Sequence, residues 1–221
     1  MPPPIASDTL PYDTGKAKDV LAAADPRLGL LISLVGDFVM DFRPTLHPFE
    51  ALCRSITYQQ LSGKAAATIF GRFCDLLPDG GVRPHAVLDL PFDSLRSVGL
   101  SNAKSRAIQD LAEKTIDGIV PGSDTINDVA DDDLMERLTS VRGIGQWTVE
   151  MLMMFRLGRP DVLPATDLGI RKGFGLLYDH SELPKPKYIL EFGETWRPYR
   201  TVASWYLWRA LELEEGALPP Y

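Results

Sequence analysis

The chain has 221 residues, 45% hydrophobic and 24% charged, enough to bury one large core or two smaller ones, with the composition of an ordinary globular protein rather than a disordered or fibrous one. Two cysteines, Cys53 and Cys74, are too few for a disulfide framework, an all-cysteine zinc site or a four-thiolate iron–sulfur cluster, so none is expected. The net charge of −7 argues, as an average, against a nucleic-acid partner.

The start, MPPPIASDTL, shows neither a basic leader nor an apolar signal core, which implies a cytoplasmic protein. Leu28 to Met40 is the longest apolar stretch. It is broken by Gly29, Ser33, Gly36 and Asp37 and falls short of the roughly 20 residues that span a bilayer, so no membrane helix is expected. Helical periodicity dominates beyond the Pro-rich start and no segment alternates convincingly as a strand would, so the chain reads as all-α. Pro48 opens two amphipathic helices with a break near Ser62-Gly63. Gly80, Gly81 and Pro84 predict a loop, and Phe92 to Val98 a short helix ended by Gly99. Ser101 is placed to cap a helix from Asn102 to about Asp117. Asp133, with Glu136 three places on, predicts a helix start. Further helices are expected from Leu168 to Tyr178 and from Pro198 to Glu215, with Pro184 and Pro186 in a loop or short helix between them.

Charge is distributed unevenly along this plan. Six acids and no base lie between Asp124 and Glu136, whereas Thr139 to Leu211 holds ten Lys and Arg against seven acids, a local +3 that suits a polyanion. That segment opens with LTSVRGIGQWTVEMLMMF, residues 138–155, in which one helix ends, five residues turn and a second amphipathic helix begins. Gly143 and Gly145 flank Ile144, so the backbone is free of bulk while one apolar side chain anchors the turn. Bare N–H groups at a helix N-terminus bind an anion without a basic side chain, which partly answers the objection from net charge.

This stretch resembles the helix-hairpin-helix motif of DNA-binding proteins. Twenty-two residues past Gly145, within LPATDLGIRKG, comes Asp167. A helix-hairpin-helix, a Pro-containing loop and an aspartate opening the next helix resemble the helix-hairpin-helix base-excision DNA glycosylases. SITYQQLSGKAA, GLSNAKSRAIQDLA and ETWRPYRTVASWYLWRA are similar to the alkylation-repair branch, the DNA-3-methyladenine glycosylase II type, over residues 45–212. The resemblance implies two helical lobes with an active-site cleft between them: residues 50–164, carrying the hairpin, and residues 1–49 plus 165–221. The additional N-terminal β-domain of some relatives is not expected.

The resemblance also assigns roles. Asp167, by itself readable as a helix N-cap, matches the family's essential aspartate. Hydrolysis of an N-glycosidic bond passes through an oxocarbenium-like sugar, which a nearby carboxylate stabilises or whose attacking water it activates. Where backbone-cleaving relatives carry a Schiff-base lysine, this chain has Trp147, so a monofunctional enzyme that leaves an abasic site is expected. Trp147 also reads as core, on one helical face with Met151, Met154 and Phe155. A base alkylated on a ring nitrogen is cationic and gains about 0.5–2 kcal/mol over an aromatic face. Trp147, Tyr199, Tyr58 and Met151 are the expected pocket residues, with Trp196, Trp205 and Trp208 further back in the core. A plug to fill the stack behind a flipped base is expected at Gln60 or Leu61. The phosphate candidates are Gly143, Gly145, Arg142, Lys64, Lys104, Arg171 and Lys172. Carbonyls of Thr139, Val141 and Ile144 would hold the structural monovalent cation of family hairpins; no catalytic cofactor is expected.

His47, His85 and His180 show no metal-ligand spacing, and Gly173-Phe174-Gly175 lacks the strand a nucleotide-binding loop needs. The implied protein is a monomeric, cytoplasmic glycosylase acting on alkylated purines such as 3-methyladenine and 7-methylguanine in double-stranded DNA. The rivals are a glycosylase for deaminated or oxidised bases and a non-catalytic helix-hairpin-helix module.

Overall fold

The computed structural model describes residues 10–44, 47–213 and 217–218, and among them the regular elements are all helical. In chain order they begin with α1 (Thr14–Ala24), α2 (Pro26–Val35), α3 (Pro48–Tyr58), α4 (Gly63–Asp75), α5 (Pro84–Leu88) and α6 (Phe92–Ser97). They continue with α7 (Asn102–Ile116), α8 (Asp131–Thr139), α9 (Gln146–Phe155), α10 (Leu168–Leu177), α11 (Pro186–Phe192) and α12 (Arg200–Ala210). Several starts follow directly from the sequence. Asp13, Asp25, Ser62, Ser101 and Asp167 each sit at an N-cap in extended backbone and accept a main-chain N–H from the first turn. Each such cap stabilises its helix by about 1 kcal/mol.

The chain divides into two compact units, Met1–Pro44 with Met153–Tyr221, and Thr45–Leu152. In the first, α12 packs on α1, α2 and α10. Its core is built from Leu21, Leu28, Leu31, Ile170, Phe174 and Tyr206 among others, all buried. Burying a Leu or Phe completely contributes about 1.5–3 kcal/mol. A carboxylate is set inside: Asp25 caps α2 through the N–H groups of Arg27 and Leu28 and accepts the Trp196 indole N–H at 2.8 Å and the Tyr178 hydroxyl. A buried carboxylate is tolerated only when so surrounded by donors. Helices α10 and α12 approach so closely that a Cβ on Gly173 would lie 2.0 Å from the Leu207 carbonyl oxygen.

In the second unit, α7 is the central helix, packed on α3, α5 and α6, with α4 against α3. Phe73, Leu52, Ile56, Leu95 and Ile108 are fully buried.

The break at Ser62-Gly63, the short helix before Gly99 and the helix capped by Ser101 lie where the sequence places them. Other elements differ. The loop expected at Pro84 is helix α5, because Pro at a first helical position is pre-set for the turn that follows. Helix α8 starts at Asp131 rather than at Asp133: three aspartates occupy its first turn, favoured by the helix dipole, and Asp133 pairs with Arg137 one turn on. The final helix starts at Arg200 rather than Pro198 and ends at Ala210; Glu214 and Glu215, its expected end, lie outside the described residues. Residues 28–35 of the apolar run lie in α2, which stops where Gly36 takes φ 86°.

The boundary expected at residue 164 lies instead after Leu152. Residues 159–163 are stitched to α12. The Thr201 hydroxyl donates to the Arg159 carbonyl and accepts the Val162 N–H, the Thr201 N–H donates to the Pro160 carbonyl, and Asp161 chelates Arg200 at 2.7 Å.

Candidate active site

Asp167 closes the loop after α9 and opens α10. Its Oδ1 accepts the Ile170 N–H at 2.9 Å, the N-cap bond, and the Trp208 indole N–H at 2.9 Å. Two donors on one oxygen fix the plane of the carboxylate. Trp208 reaches it from α12 because the intervening position is Gly169: a Cβ there would lie 2.7 Å from Trp208 Cδ1 and 3.0 Å from Asp167 Oδ1. On its other side Trp208 stacks on Phe155, centroids 6.0 Å apart. Trp208 is therefore a partner of the acid rather than remote core, whereas Trp196 is fully buried and Trp205 nearly so. The signal available in the sequence was Gly169, a missing side chain two residues past the acid.

Tyr199 is half-buried at the N-terminus of α12, tilted against Tyr12 with centroids 6.4 Å apart. The Tyr12 hydroxyl is buried without a hydrogen-bond partner, and burial pushes its pKa well above the usual phenol value, keeping it protonated. Arg197 and Arg200, on either side of Tyr199, both bind Asp161 and Glu194, so the segment carrying the ring is clamped.

In the other unit the hairpin forms as the glycines suggest. Val141 and Ile144 are buried, while Arg142, Gly143, Gly145, Gln146 and Trp147 are exposed. Gly143 has φ 75°, a left-handed angle costly for any other residue, and nothing lies within 4 Å of a Cβ on Gly145. The turn is closed by the Ile144 N–H on the Val141 carbonyl and anchored from α7, where Asp110 accepts the Arg142 N–H at 2.7 Å. Desolvation raises the Asp110 pKa, but hydrogen bonds from Arg142 and Lys114 outweigh it and hold the carboxyl below its usual range. Trp147 is 50% exposed, which excludes the core reading; Met151, one turn on, is half-buried. Glu150, on the same helix, is buried and accepts from the Gln146 amide at 2.8 Å; the sequence reading did not mark it.

Tyr58 ends α3 with the Arg54 guanidinium 4.3 Å above its ring. That face already holds a cation. Gln60 and Leu61 follow, both exposed, with Gln60 at φ 58°, a conformation that costs an L-residue about 1–2 kcal/mol. Lys64, Arg142 and Lys172 are exposed. Lys104 is not available as a phosphate side chain: its ammonium donates to the carbonyls of Thr57 and Gln59, 2.7 Å each, and partial burial draws its pKa below the usual lysine range. Arg171 Nε likewise donates to the Pro184 carbonyl.

Among the described residues no group of three His, Cys, Asp or Glu could hold a metal, and no helix is long and apolar enough to cross a membrane. At the hairpin the Val141 carbonyl accepts the Ile144 N–H at 3.1 Å.

Comparison with known proteins gives a consistent picture. Residues 53–198 match the family described as HhH-GPD superfamily base excision DNA repair protein. DNA-3-methyladenine glycosylase 1 of Schizosaccharomyces pombe is 38% identical over 210 residues, 92% of this chain and 90% of the relative. The structure of that organism's 3-methyladenine DNA glycosylase (Mag1) in complex with abasic DNA superposes with a TM-score of 0.72, covering 90% of this chain and 97% of the other. A DNA-3-methyladenine glycosidase from Bacillus halodurans superposes with a TM-score of 0.81 at 34% identity, covering 91% of each chain.

Proposed function

The chain belongs to the HhH-GPD superfamily of base excision DNA repair proteins, and we propose that it is a monofunctional DNA glycosylase that hydrolyses the N-glycosidic bond of alkylated purines in duplex DNA. The observation that carries the reading is the held carboxylate of Asp167, oriented by a helix-cap N–H and an indole N–H on the same oxygen. A purine alkylated at N3 or N7 is already a good leaving group. What remains for the protein is to stabilise the positive charge that grows on the sugar as the bond breaks, which a fixed carboxylate does without reorganising. Water then adds to the sugar carbon and loses a proton, leaving an abasic site; Asp167 accepts that proton as a secondary role.

In this reading the exposed ring of Trp147 takes up the cationic base, with Met151 filling beside it, and the clamped ring of Tyr199 is a further aromatic candidate. Tyr58 contributes less, since Arg54 occupies one of its faces. The N–H groups of Gly143 and Gly145 bind a backbone phosphate at the N-terminus of α9, helped by Arg142, Lys64 and Lys172. Gln60 or Leu61 enters the space the flipped nucleotide leaves. A monovalent cation on the carbonyls of Thr139, Val141 and Ile144 would add a positive charge for the phosphate; the chemistry itself needs no cofactor. The protein acts as a monomer, inside the cell where its DNA substrate is.

Trp147 in place of an amine predicts that the reaction stops at the abasic site. Incubation with randomly methylated duplex, followed by chromatography of the released material, tests the reading: free 3-methyladenine and 7-methylguanine support it, and intact DNA refutes it. Strand cleavage without alkali would refute the monofunctional assignment.

A further inference from the structure

One side chain joins the loop after α3 to the hairpin and a second pins that loop to α7, and neither has a part in the chemistry above. Gln59 Nε2 donates to the Gly143 carbonyl at 2.9 Å, linking positions 84 apart in sequence. Lys104, in the first turn of α7, donates from Nζ to the carbonyls of Thr57 and Gln59 at 2.7 Å each. A cation at the end of α3 meets the negative end of that helix and binds carbonyls that have no partner within it. Just past these fastenings the backbone passes through Gln60 at φ 58° and exposes Leu61. The loop is thus pinned from α7 and tied to the turn, while its tip stands out from the surface.

We propose that Gln59 and Lys104 are positioning residues, Gln59 tying the loop 59–61 to the hairpin turn and Lys104 pinning it to α7, so that gripping the strand and entering the base stack occur as one rigid movement. This rests on the reading of the turn as the phosphate site and of the loop tip as the plug. A loop left loose would have to order itself during extrusion, and that cost would fall on the extrusion step rather than on binding of ordinary duplex. The Gly143 carbonyl is the junction. Its peptide unit belongs to the turn whose N–H groups face the phosphate, and the Gln59 amide sets its orientation.

The test uses the full chain and two duplexes. One carries 7-methylguanine, for single-turnover release of the base. The other carries a tetrahydrofuran abasic analogue beside 2-aminopurine, whose fluorescence reports entry of the plug into the stack. Gln59→Ala, Gln59→Glu, which keeps the size but removes the donor, and Lys104→Met are expected to bind undamaged duplex within about twofold of wild type while releasing base about tenfold more slowly, with a reduced 2-aminopurine signal. Lys104→Arg, which keeps the cation, is expected to recover most of both readouts. Wild-type rate and signal in the Gln59 variants would overturn the proposal. So would a loss of duplex binding as large as the loss of rate, since that describes a simple DNA contact. The fluorescence arm needs no catalysis, so a wild type that releases no base sinks the glycosylase reading while the 2-aminopurine signal still decides this one.

Discussion

In the proposed mechanism Asp167 does two jobs with one side chain, capping α10 and stabilising the sugar cation, and they can be separated. Asn at this position still accepts the Ile170 N–H and the Trp208 indole, so Asp167→Asn should change stability by less than about 1 kcal/mol, measured by urea unfolding. It loses the negative charge, and base release should fall about 10²- to 10³-fold in single-turnover assays while duplex binding persists. Trp208→Phe keeps an aromatic ring to face Phe155 and removes the N–H donor together with the fused five-membered ring. A hydrogen bond to a charged group contributes about 1.5–3 kcal/mol, so a loss of about tenfold or more in rate is expected, with melting temperature little changed. Gly169→Ala would crowd both the rigid indole and the carboxylate oxygen it binds and should lower the same rate. If Trp208→Phe runs at the wild-type rate, the indole is a packing residue and nothing more.

At the scale of elements, the hairpin depends on α7 and the acid depends on the fit of α10 to α12. Asp110 holds the turn through the Arg142 N–H, and its folded pKa lies below the ordinary 3.8. A group depressed in this way stabilises the fold fully above its unfolded pKa and loses that contribution as pH falls through the lowered folded value. The difference in unfolding free energy between wild type and Asp110→Asn should therefore be present at pH 7 and shrink below about pH 4; a difference independent of pH would contradict the account. Gly173→Ala places a methyl 2.0 Å from a backbone oxygen, so α10 and α12 must part, with a loss of about 3 kcal/mol or more in urea unfolding.

The same elements show what the sequence made legible. Caps, punctuating glycines and apolar spacing located α3, α4, α6, α7, α10 and the hairpin because each signal is local. Helix α5 was read as a loop because Pro84 is both a turn residue and a good first helical residue, and only the packing of α5 on α7 decides between them. Asp167, the proposed catalytic carboxylate, was singled out through its distance from the hairpin, and its capping of α10 was local in the sequence. Trp208 and Gln59 were not, since the partner of each, Asp167 or Gly143, lies 41 or 84 positions away and only the folded chain brings the two together. Lys104 was misread as a phosphate ligand for the same reason: a lysine in a helix's first turn looks solvent-facing until the carbonyls of α3 are placed above it.

For the molecule as a whole, a net charge of −7 and a hairpin that offers N–H groups rather than a basic face predict weak dependence of binding on salt. A plot of log K against log salt concentration should have a slope of about −2 to −3, reflecting two or three neutralised phosphates; a slope near about −6 would mean a broader basic surface than the one described. The central claim is nevertheless chemical. The most direct measurement is chromatography of what wild type and Asp167→Asn release from randomly methylated duplex DNA. The account predicts free 3-methyladenine and 7-methylguanine from wild type, strands that break only on treatment with alkali, and almost no release by a variant that still binds; equal release by the two proteins, or none by wild type, would contradict it.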